Sequence, residues 1–233
     1  MKKTIGILGG MGPLATADLY RKIVASTRAD SDHDHIRVYI DSNPRIPDRT
    51  GAILSGGDDP VPEMLSALRN LEKCGADCVI MPCNTAHYFR DRLQSETALP
   101  ILDMLSITAE QCRARFPGKT ACVLATRGTL ATGLYDRALT KAGVPFLLPD
   151  EGERDSLMHL IYEVVKASRP IEPEAARWHS LLCALRERGA DYFILGCTEL
   201  PILAETLGEP GPFVDPTREL ARAAIRWCGY ETK

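Results

Sequence analysis

The stretch that decides the fold is Gly75-Ala76-Asp77-Cys78-Val79-Ile80-Met81-Pro82-Cys83. It decides the fold because it has a counterpart later in the chain, Gly189-Ala190-Asp191-Tyr192-Phe193-Ile194-Leu195-Gly196-Cys197. The two copies lie 114 positions apart, and both keep six positions from the aspartate to the cysteine. In each copy a short apolar run follows the Gly-Ala-Asp turn, a pattern that predicts a buried strand. The sequence therefore predicts two equivalent strands, each with a cysteine just beyond its carboxyl end.

Two further pairs of segments extend this repeat in the same order. Met11-Gly12-Pro13-Leu14-Ala15-Thr16 returns 116 positions later as Arg127-Gly128-Thr129-Leu130-Ala131-Thr132. Pro100, two apolar residues and Asp103 return 112 positions later as Pro212, two apolar residues and Asp215. Three matched landmarks at a nearly constant offset predict two homologous halves.

Short apolar runs alternate with longer segments of helical periodicity, which is typical of βα units around parallel sheets. The predicted strands are 4–8, 36–40, 78–81, 101–102, 121–124, 146–148, 192–195 and 213–214. The predicted helices are 13–28, 61–74, 86–96, 104–115, 130–142, 153–167, 172–188 and 217–228. Residues 50–62, rich in Gly, Asp and Pro, are predicted to form a loop.

These elements predict an α/β protein with two pseudo-symmetric domains and parallel sheets. We expect the first domain at residues 1–100, with 212–233 packing back on it, and the second at 101–211. Ligands of such units bind at the carboxyl ends of the strands. The active site is therefore expected in the cleft between the domains, with Cys83 and Cys197 on its two sides.

The composition predicts an ordinary soluble protein that acts on a small molecule. The chain has 233 residues, 45% apolar content and a formal net charge of −3. It shows no basic run, so we expect no nucleic-acid partner and no membrane partner. Only a short apolar run follows Met1-Lys2-Lys3, which argues against a signal peptide and favours a cytoplasmic location. The eight cysteines include no CxxC pair, and we expect free thiols and no metal site.

Two thiols that face one carbon atom suit proton exchange at that carbon. Cysteine has a reference pKa of about 8.5, so a thiolate can act as the base and a thiol as the acid. The start of a helix after a strand also supplies N–H groups that stabilise a thiolate. We therefore predict that Cys83 and Cys197 are the catalytic pair, and that their polar neighbours tune them. These neighbours are Asn84, Thr85 and His87 after the first cysteine, and Thr198 and Glu199 after the second.

Three segments resemble the signature motifs of the aspartate/glutamate racemase family. They are Ile7-Leu8-Gly9-Gly10-Met11-Gly12-Pro13, Met81-Pro82-Cys83-Asn84-Thr85-Ala86-His87 and Leu195-Gly196-Cys197-Thr198-Glu199-Leu200-Pro201. The resemblance extends from residue 4 to about residue 220. It implies a racemase that needs no pyridoxal phosphate or other cofactor, and commonly a homodimer.

Resemblance to the aspartate branch of this family also implies the substrate-binding positions. They are Met11, Asp48, Arg49, Asn84, Thr85, Tyr162, Lys166 and Thr198, with His87 and Glu199 in supporting roles. Arg and Lys side chains suit the two carboxylates of an acidic amino acid. Glu199 stands where glutamate racemases have histidine, which favours aspartate as the substrate and leaves glutamate open.

Other functions remain as alternatives. The segment Gly10 to Ala15 fits the GxGxxA pattern of a dinucleotide site, with Asp41 as a ribose partner, although the equivalent turn of the second half lacks these glycines. A hydrolase built on Cys83 and His87 would leave the second cysteine unexplained. Decarboxylases and isomerases of the same fold sometimes carry one cysteine, and a catalytically silent binding module is a further class.

Overall fold

The computed structural model describes residues 2–209 and 211–233 and divides the chain into two compact units. Unit 1 comprises Met1–Ile107 and Thr217–Lys233, and unit 2 comprises Thr108–Pro216. The expected boundaries at residues 100 and 212 differ from this division. Residues 213 and 214, expected on the first domain, pair instead with Phe193 and Ile194 of unit 2.

Parallel strands form one sheet in each unit. Within the described residues the strands are β1 (Ile5–Gly9), β2 (Val38–Ser42), β3 (Cys78–Ile80), β4 (Ala121–Leu124), β5 (Phe146–Leu147), β6 (Tyr192–Leu195) and β7 (Phe213–Val214). The order is β2-β1-β3 in unit 1 and β5-β4-β6-β7 in unit 2. The predicted fold class, an α/β protein with parallel sheets, is confirmed. Residues 101–102 were predicted as a strand, but Ile101 forms only an isolated parallel bridge to Val79.

Helices flank these strands along the chain. They are α1 (Pro13–Ser26), α2 (Arg49–Leu54), α3 (Val61–Cys74), α4 (Arg90–Gln94), α5 (Met104–Arg115), α6 (Arg127–Ala131), α7 (Leu134–Ala142), α8 (Glu151–Met158), α9 (Ala175–Glu187), α10 (Leu200–Leu207) and α11 (Pro216–Trp227). Short 3₁₀ segments lie at Asp32–Asp34, Thr85–Phe89 and Glu172–Glu174, and a π-helical segment lies at His159–Val165. Among the described residues, no helix has the length and apolar content needed to cross a membrane.

The sequence repeat is also a repeat of hydrogen bonds within each unit. In unit 1 the Asp77 N–H donates to the Thr4 carbonyl at 2.9 Å, and the Thr4 N–H donates to Asp77 Oδ2 at 2.7 Å. In unit 2 the Asp191 N–H donates to the Thr120 carbonyl at 2.9 Å, and the Thr120 N–H donates to Asp191 Oδ2 at 2.8 Å. The repeated aspartate therefore fastens the start of the central strand in both units.

The repeated segment that begins with Pro100 and Pro212 also reflects a hydrogen bond present in both units. The Val79 N–H donates to the Pro100 carbonyl at 2.9 Å, and the Phe193 N–H donates to the Pro212 carbonyl at 3.0 Å. Position 101 thus corresponds to the start of β7, and β3 corresponds to β6. Each cysteine of interest follows one of these two equivalent strands.

Both faces of the unit 1 sheet are covered by apolar side chains. Ile5 and Ile7 of β1 point into a cluster with α1 and α11, whereas Leu8 joins a second cluster with α3 that contains Cys83. The side chains of all three β1 residues are fully buried. Complete burial of such a side chain contributes about 1.5–3 kcal/mol, which explains the continuous apolar runs of the strands.

Candidate active site

Cys83 lies three residues beyond the end of β3, where the chain leaves the sheet. Pro82 has no N–H group and cannot extend the strand pairing. The Cys83 side chain is only 7% exposed and packs in an apolar cluster of unit 1. Asn84 and Thr85 follow it, and both are buried at the start of the 3₁₀ segment.

His87 connects the Cys83 segment to the first turn of α5. Its Nε2 accepts the Met104 N–H at 3.2 Å, so the ring proton is assigned to Nδ1, which donates to the Cys83 carbonyl at 2.9 Å. Burial lowers the pKa of His87, and the ring is neutral. Both ring nitrogens are engaged by the main chain, so this geometry does not support a Cys/His hydrolase in which His87 activates Cys83.

Arg49 is buried at the start of α2 and bonds to the main chain. Its Nη1 donates to the carbonyls of Ile46 at 3.2 Å and Pro47 at 2.9 Å, and its Nη2 donates to the Met11 carbonyl at 3.1 Å. The predicted substrate-binding residues Met11 and Arg49 are therefore brought together. The guanidinium joins the turn after β1 to the loop before α2.

Asp48, also predicted to bind substrate, is exposed at the N-cap of α2. Its Oδ2 accepts the Gly51 N–H at 2.6 Å. Such a cap satisfies one of the helix's unpaired N–H groups. Asp48 thus starts the helix that carries Arg49.

The glycines after β1 have a packing function. Gly10 has a φ of +91°, and a Cβ there would lie 2.3 Å from the backbone of Asn43. A Cβ at Gly9 would lie 2.4 Å from the Thr16 side chain. Asp41, the ribose partner of the dinucleotide hypothesis, lies inside β2. Its Oδ2 accepts a hydrogen bond from Asn70 Nδ2 at 2.8 Å. The features that suggested a dinucleotide site therefore have structural explanations.

Cys197 lies two residues beyond the end of β6 and is 7% exposed, like Cys83. Its Sγ donates to Glu199 Oε2 at 2.8 Å, and Thr198 Oγ1 donates to the same oxygen at 3.2 Å. Thr198 and Glu199 are also buried. Three consecutive predicted site residues thus form one hydrogen-bonded group.

Burial and two nearby charges shift the pKa of the Cys197 thiol. Burial, followed by the Glu199 carboxylate, raises the pKa of Cys197 well above its ordinary value, whereas the Lys166 ammonium lowers it. The raised pKa agrees with a protonated Sγ that donates to Glu199. Cys197 is therefore the thiol form of the residue in this structure.

Tyr162 and Lys166 belong to the same part of unit 2. The Lys166 Nζ lies 4.3 Å from the centre of the Tyr162 ring, and Tyr162 packs against the cluster that contains Cys197. The Lys166 N–H donates to the Ile161 carbonyl five residues earlier, at 3.0 Å, in the π-helical pattern. π-Helical turns are frequent at functional sites. Here the turn places a cation near a buried thiol.

Asp103 supports the site and was not predicted to do so. Its Oδ1 accepts the N–H groups of Leu105 at 3.0 Å and Ser106 at 3.2 Å, which caps the helix whose Met104 binds His87. The signal in the sequence was the repeated landmark that ends at Asp103, together with the serine three residues later. Over residues 2–209 and 211–233, no three His, Cys, Asp or Glu side chains form a group that could hold a metal ion.

Comparison with known proteins agrees with this fold. The family model for Asp/Glu/Hydantoin racemase matches residues 8–224. An aspartate racemase structure from Picrophilus torridus is 30% identical, with a TM-score of 0.86 over 99% of this chain and 96% of that chain. The broad specificity amino-acid racemase RacX of Bacillus subtilis (strain 168) is 26% identical over 227 residues, which are 95% of this chain and 96% of RacX.

A structure titled as an aspartate racemase homologue from Pyrococcus horikoshii OT3 shares the fold. It is 23% identical, with a TM-score of 0.76 over 97% of this chain and 99% of that chain. The resemblance predicted from the three sequence segments is thereby confirmed. The chain belongs to the Asp/Glu/hydantoin racemase family and is an isomerase.

Proposed function

We propose that the protein interconverts L- and D-aspartate without a cofactor, with Cys83 and Cys197 as a two-base pair. One observation carries this proposal: each unit places a 7% exposed cysteine just beyond an equivalent strand of an internally repeated sheet. A single-cysteine decarboxylase or isomerase does not require the second copy. The repeated position of a cysteine after equivalent strands supports two thiols that both transfer protons.

The proposed reaction transfers one proton at each face of the substrate α-carbon. The thiolate takes the α-proton, so a C–H bond breaks and an S–H bond forms. The thiol on the other face donates its proton to the carbanion, forming the new C–H bond and becoming a thiolate. Because Cys197 is a thiol that donates to Glu199, we assign it as the proton donor of this enzyme form and Cys83 as the acceptor.

The substrate class follows from the cation beside Cys197. Lys166 acts electrostatically on this thiol and lies over the Tyr162 ring, so we propose that its ammonium binds a substrate carboxylate. We propose that Arg49, which donates to the Met11 carbonyl, positions the loop at Met11, and that Asp48 supports it by capping the helix that carries Arg49. We propose that Asn84, Thr85 and Thr198 supply hydrogen bonds to the rest of the substrate.

The choice of aspartate follows the relatives and one residue of the site. The Picrophilus torridus relative is named an aspartate racemase, and the family resemblance implies that Glu199 stands where glutamate racemases have histidine. Chiral chromatography of aspartate, glutamate and neutral amino acids after incubation would test it. Equal rates on neutral amino acids would favour a broad specificity like that named for RacX. The family resemblance also implies a homodimer, which analytical ultracentrifugation would test.

Proton exchange in heavy water tests the two-base assignment. Cys83→Ser and Cys197→Ser should each lower racemisation by about 10²- to 10⁴-fold, the usual contribution of a positioned acid or base. Each variant should retain deuterium exchange with one enantiomer of aspartate, and the two variants should prefer opposite enantiomers. Cys183→Ser, on α9, is the matched control and should racemise normally.

Two results would contradict the assignment. One is normal racemisation in either variant, and the other is exchange with the same enantiomer in both. Dialysis against EDTA and treatment with a carbonyl-trapping amine should leave the wild-type rate unchanged. A large loss in either treatment would contradict the cofactor-free mechanism.

A further inference from the structure

Two cysteines that the proposed reaction does not use are in contact in the core of unit 1. Cys78 is the first residue of β3, and Cys228 directly follows the last residue of α11. Their Sγ atoms lie 3.9 Å apart, so one thiol can donate a hydrogen bond to the other. Both side chains are fully buried free thiols in the apolar cluster that contains Ile5 and Ile225. Two sulfur atoms therefore meet where α11 packs on the sheet.

This pair of thiols lies apart from the racemase site. Cys78 pairs with Ile5 at the amino end of β1, whereas Cys83 lies beyond the carboxyl end of β3. The Cys228 carbonyl accepts the Lys3 N–H at 3.1 Å, which holds the end of α11 beside the start of β1. The pair thus occupies the end of the sheet opposite to Cys83.

The two thiols differ in their tendency to ionise. The hydrogen bond from Cys78 lowers the pKa of Cys228, although burial opposes this shift. The hydrogen bond to Cys228, followed by burial, raises the pKa of Cys78. Because the thiolate is the nucleophile in thiol oxidation, Cys228 is the residue suited to attack an oxidant. Cys78 keeps its proton and is suited to the second step.

We propose that Cys78 and Cys228 form a reversible disulfide when hydrogen peroxide oxidises the protein. The Cys228 thiolate attacks one peroxide oxygen and the O–O bond breaks, which gives a sulfenic acid and a hydroxide that becomes water with the proton from Cys228. The Cys78 sulfur then attacks the Cys228 sulfur. The S–S bond forms, the S–O bond breaks, and the hydroxyl leaves as water with the Cys78 proton. Two thiols and one peroxide thus give one disulfide and two water molecules.

The geometry requires only local movement. The S–S bond of a disulfide is about 2.05 Å long, so rotation of the two side chains must bring the sulfur atoms about 2 Å closer. Because both sulfur atoms are buried, the oxidant reaches them through local opening of the chain end that covers them. Hydrogen peroxide is small and uncharged, which suits this route.

A disulfide at this position would join the two separate segments that build unit 1. Cys78 belongs to Met1–Ile107, and Cys228, 150 positions later, belongs to Thr217–Lys233. The closed loop would contain all of unit 2. A link of this kind restricts the unfolded chain, and the effect grows with the length of the loop. The oxidised protein would therefore hold its returning C-terminal helix covalently.

Peptide mapping of peroxide-treated wild type tests the link directly. Trypsin cuts on both sides of residues 74–90, which contain Cys78, and before residues 227–233, which contain Cys228. After alkylation and digestion without a reductant, these two fragments should be found joined. The chain should stay monomeric in a non-reducing denaturing gel, which excludes a link between molecules. Dithiothreitol should separate the fragments.

Matched variants identify the cysteine that supplies the link. Cys78→Ala and Cys228→Ala should each lose the joined fragments. Cys74→Ala is the control, because Cys74 is an exposed thiol in the same tryptic fragment as Cys78, and it should keep them. Peroxide should also raise the Tm of the wild type by about 5–15 °C. Cys78→Ala retains every other thiol, so effects of peroxide at other cysteines cancel when its Tm is compared with that of the wild type.

Three results would overturn the proposal. They are separate fragments in the peroxide-treated wild type, joined fragments in Cys78→Ala, and an equal change of Tm in the wild type and Cys78→Ala. The first result needs no variant, so the test stays decisive if a substitution in the core prevents folding.

Discussion

Burial and the Glu199 carboxylate both favour the protonated form of Cys197. One carboxylate oxygen of Glu199 accepts hydrogen bonds from both the Cys197 thiol and the Thr198 hydroxyl. A carboxylate so close to a thiol opposes the formation of a second negative charge. Glu199 thus adds to the effect of burial in keeping this cysteine in its acid form.

Glu199→Gln should lower the pKa of Cys197, because the amide keeps an oxygen acceptor and removes the negative charge. The rate of alkylation of Cys197 by iodoacetamide should then rise at a lower pH than in the wild type. Peptide mass spectrometry would follow this rate across pH values around the ordinary thiol pKa of about 8.5. The exposed Cys74 provides an internal control with an unchanged profile. An unchanged profile for Cys197 would contradict the role of Glu199.

His87 should stabilise the protein as a neutral bridge between Cys83 and Met104. His87→Ala would leave a buried carbonyl and a buried N–H unpaired, at about 1–3 kcal/mol for each group. Since the pKa of His87 is lowered in the fold, the unfolded chain binds its proton more readily. Its contribution is therefore present above the unfolded pKa of about 6.5 and is lost as the pH falls below it.

Urea unfolding at several pH values would test this role of His87. The wild type should lose more stability than His87→Ala on acidification. The exposed His33 offers the control substitution His33→Ala, which should change the free energy of unfolding little. An equal loss of stability in wild type and His87→Ala at low pH would show that His87 is not the titrating group.

At the level of elements, the turn between β1 and α1 should tolerate no side chain at Gly10. Gly10→Ala combines a left-handed φ with a clash against the Asn43 backbone, so we expect destabilisation of about 3 kcal/mol or more. Gly56→Ala is the matched control, because φ there is also left-handed, at +64°, and nothing lies within 4 Å of its Cβ position. It should cost about 1–2 kcal/mol. Similar unfolding free energies for the two variants would contradict the clash.

The elements that the sequence predicted correctly are those with a clear local signal. The helices at 61–74 and 104–115 and the strands at 121–124, 192–195 and 213–214 are confirmed with their predicted bounds.

The errors have local causes. Residues 50–62 were predicted to form a loop, but most of the six-residue helix α2 lies at the start of this segment. The sequence feature that marks the start of this helix is the N-cap residue Asp48. Gly133, at a φ of +60°, separates α6 from α7 inside the predicted helix 130–142. Periodicity also does not separate a π-helical turn from an α-helix, so the change at His159 was not predictable.

For the whole molecule, the internal repeat predicted the positions of both cysteines, but not the contacts around them. Register and order are properties of the sequence, so the places of Cys83 and Cys197 after equivalent strands could be predicted. Arg49 donates hydrogen bonds to three main-chain carbonyls, and this contact depends on how the turn at Met11 packs. The prediction that Arg49 binds a substrate carboxylate came from its charge and from the family resemblance, neither of which carries information about such packing, and it stays a prediction.

The matched aspartates should make each unit separately sensitive to substitution. Asp77 fastens Thr4 in unit 1, and Asp191 fastens Thr120 in unit 2. Asp77→Ala should therefore speed amide hydrogen exchange in β1 and β3, and Asp191→Ala should speed it in β4 and β6, because local opening follows the contacts that hold each region. Mass spectrometry of peptic fragments would resolve the two sheets. Asp155→Ala, which breaks an exposed ion pair with Arg127, is the control and should leave both sheets protected. Faster exchange throughout both sheets in either aspartate variant would show that the repeated units open as one.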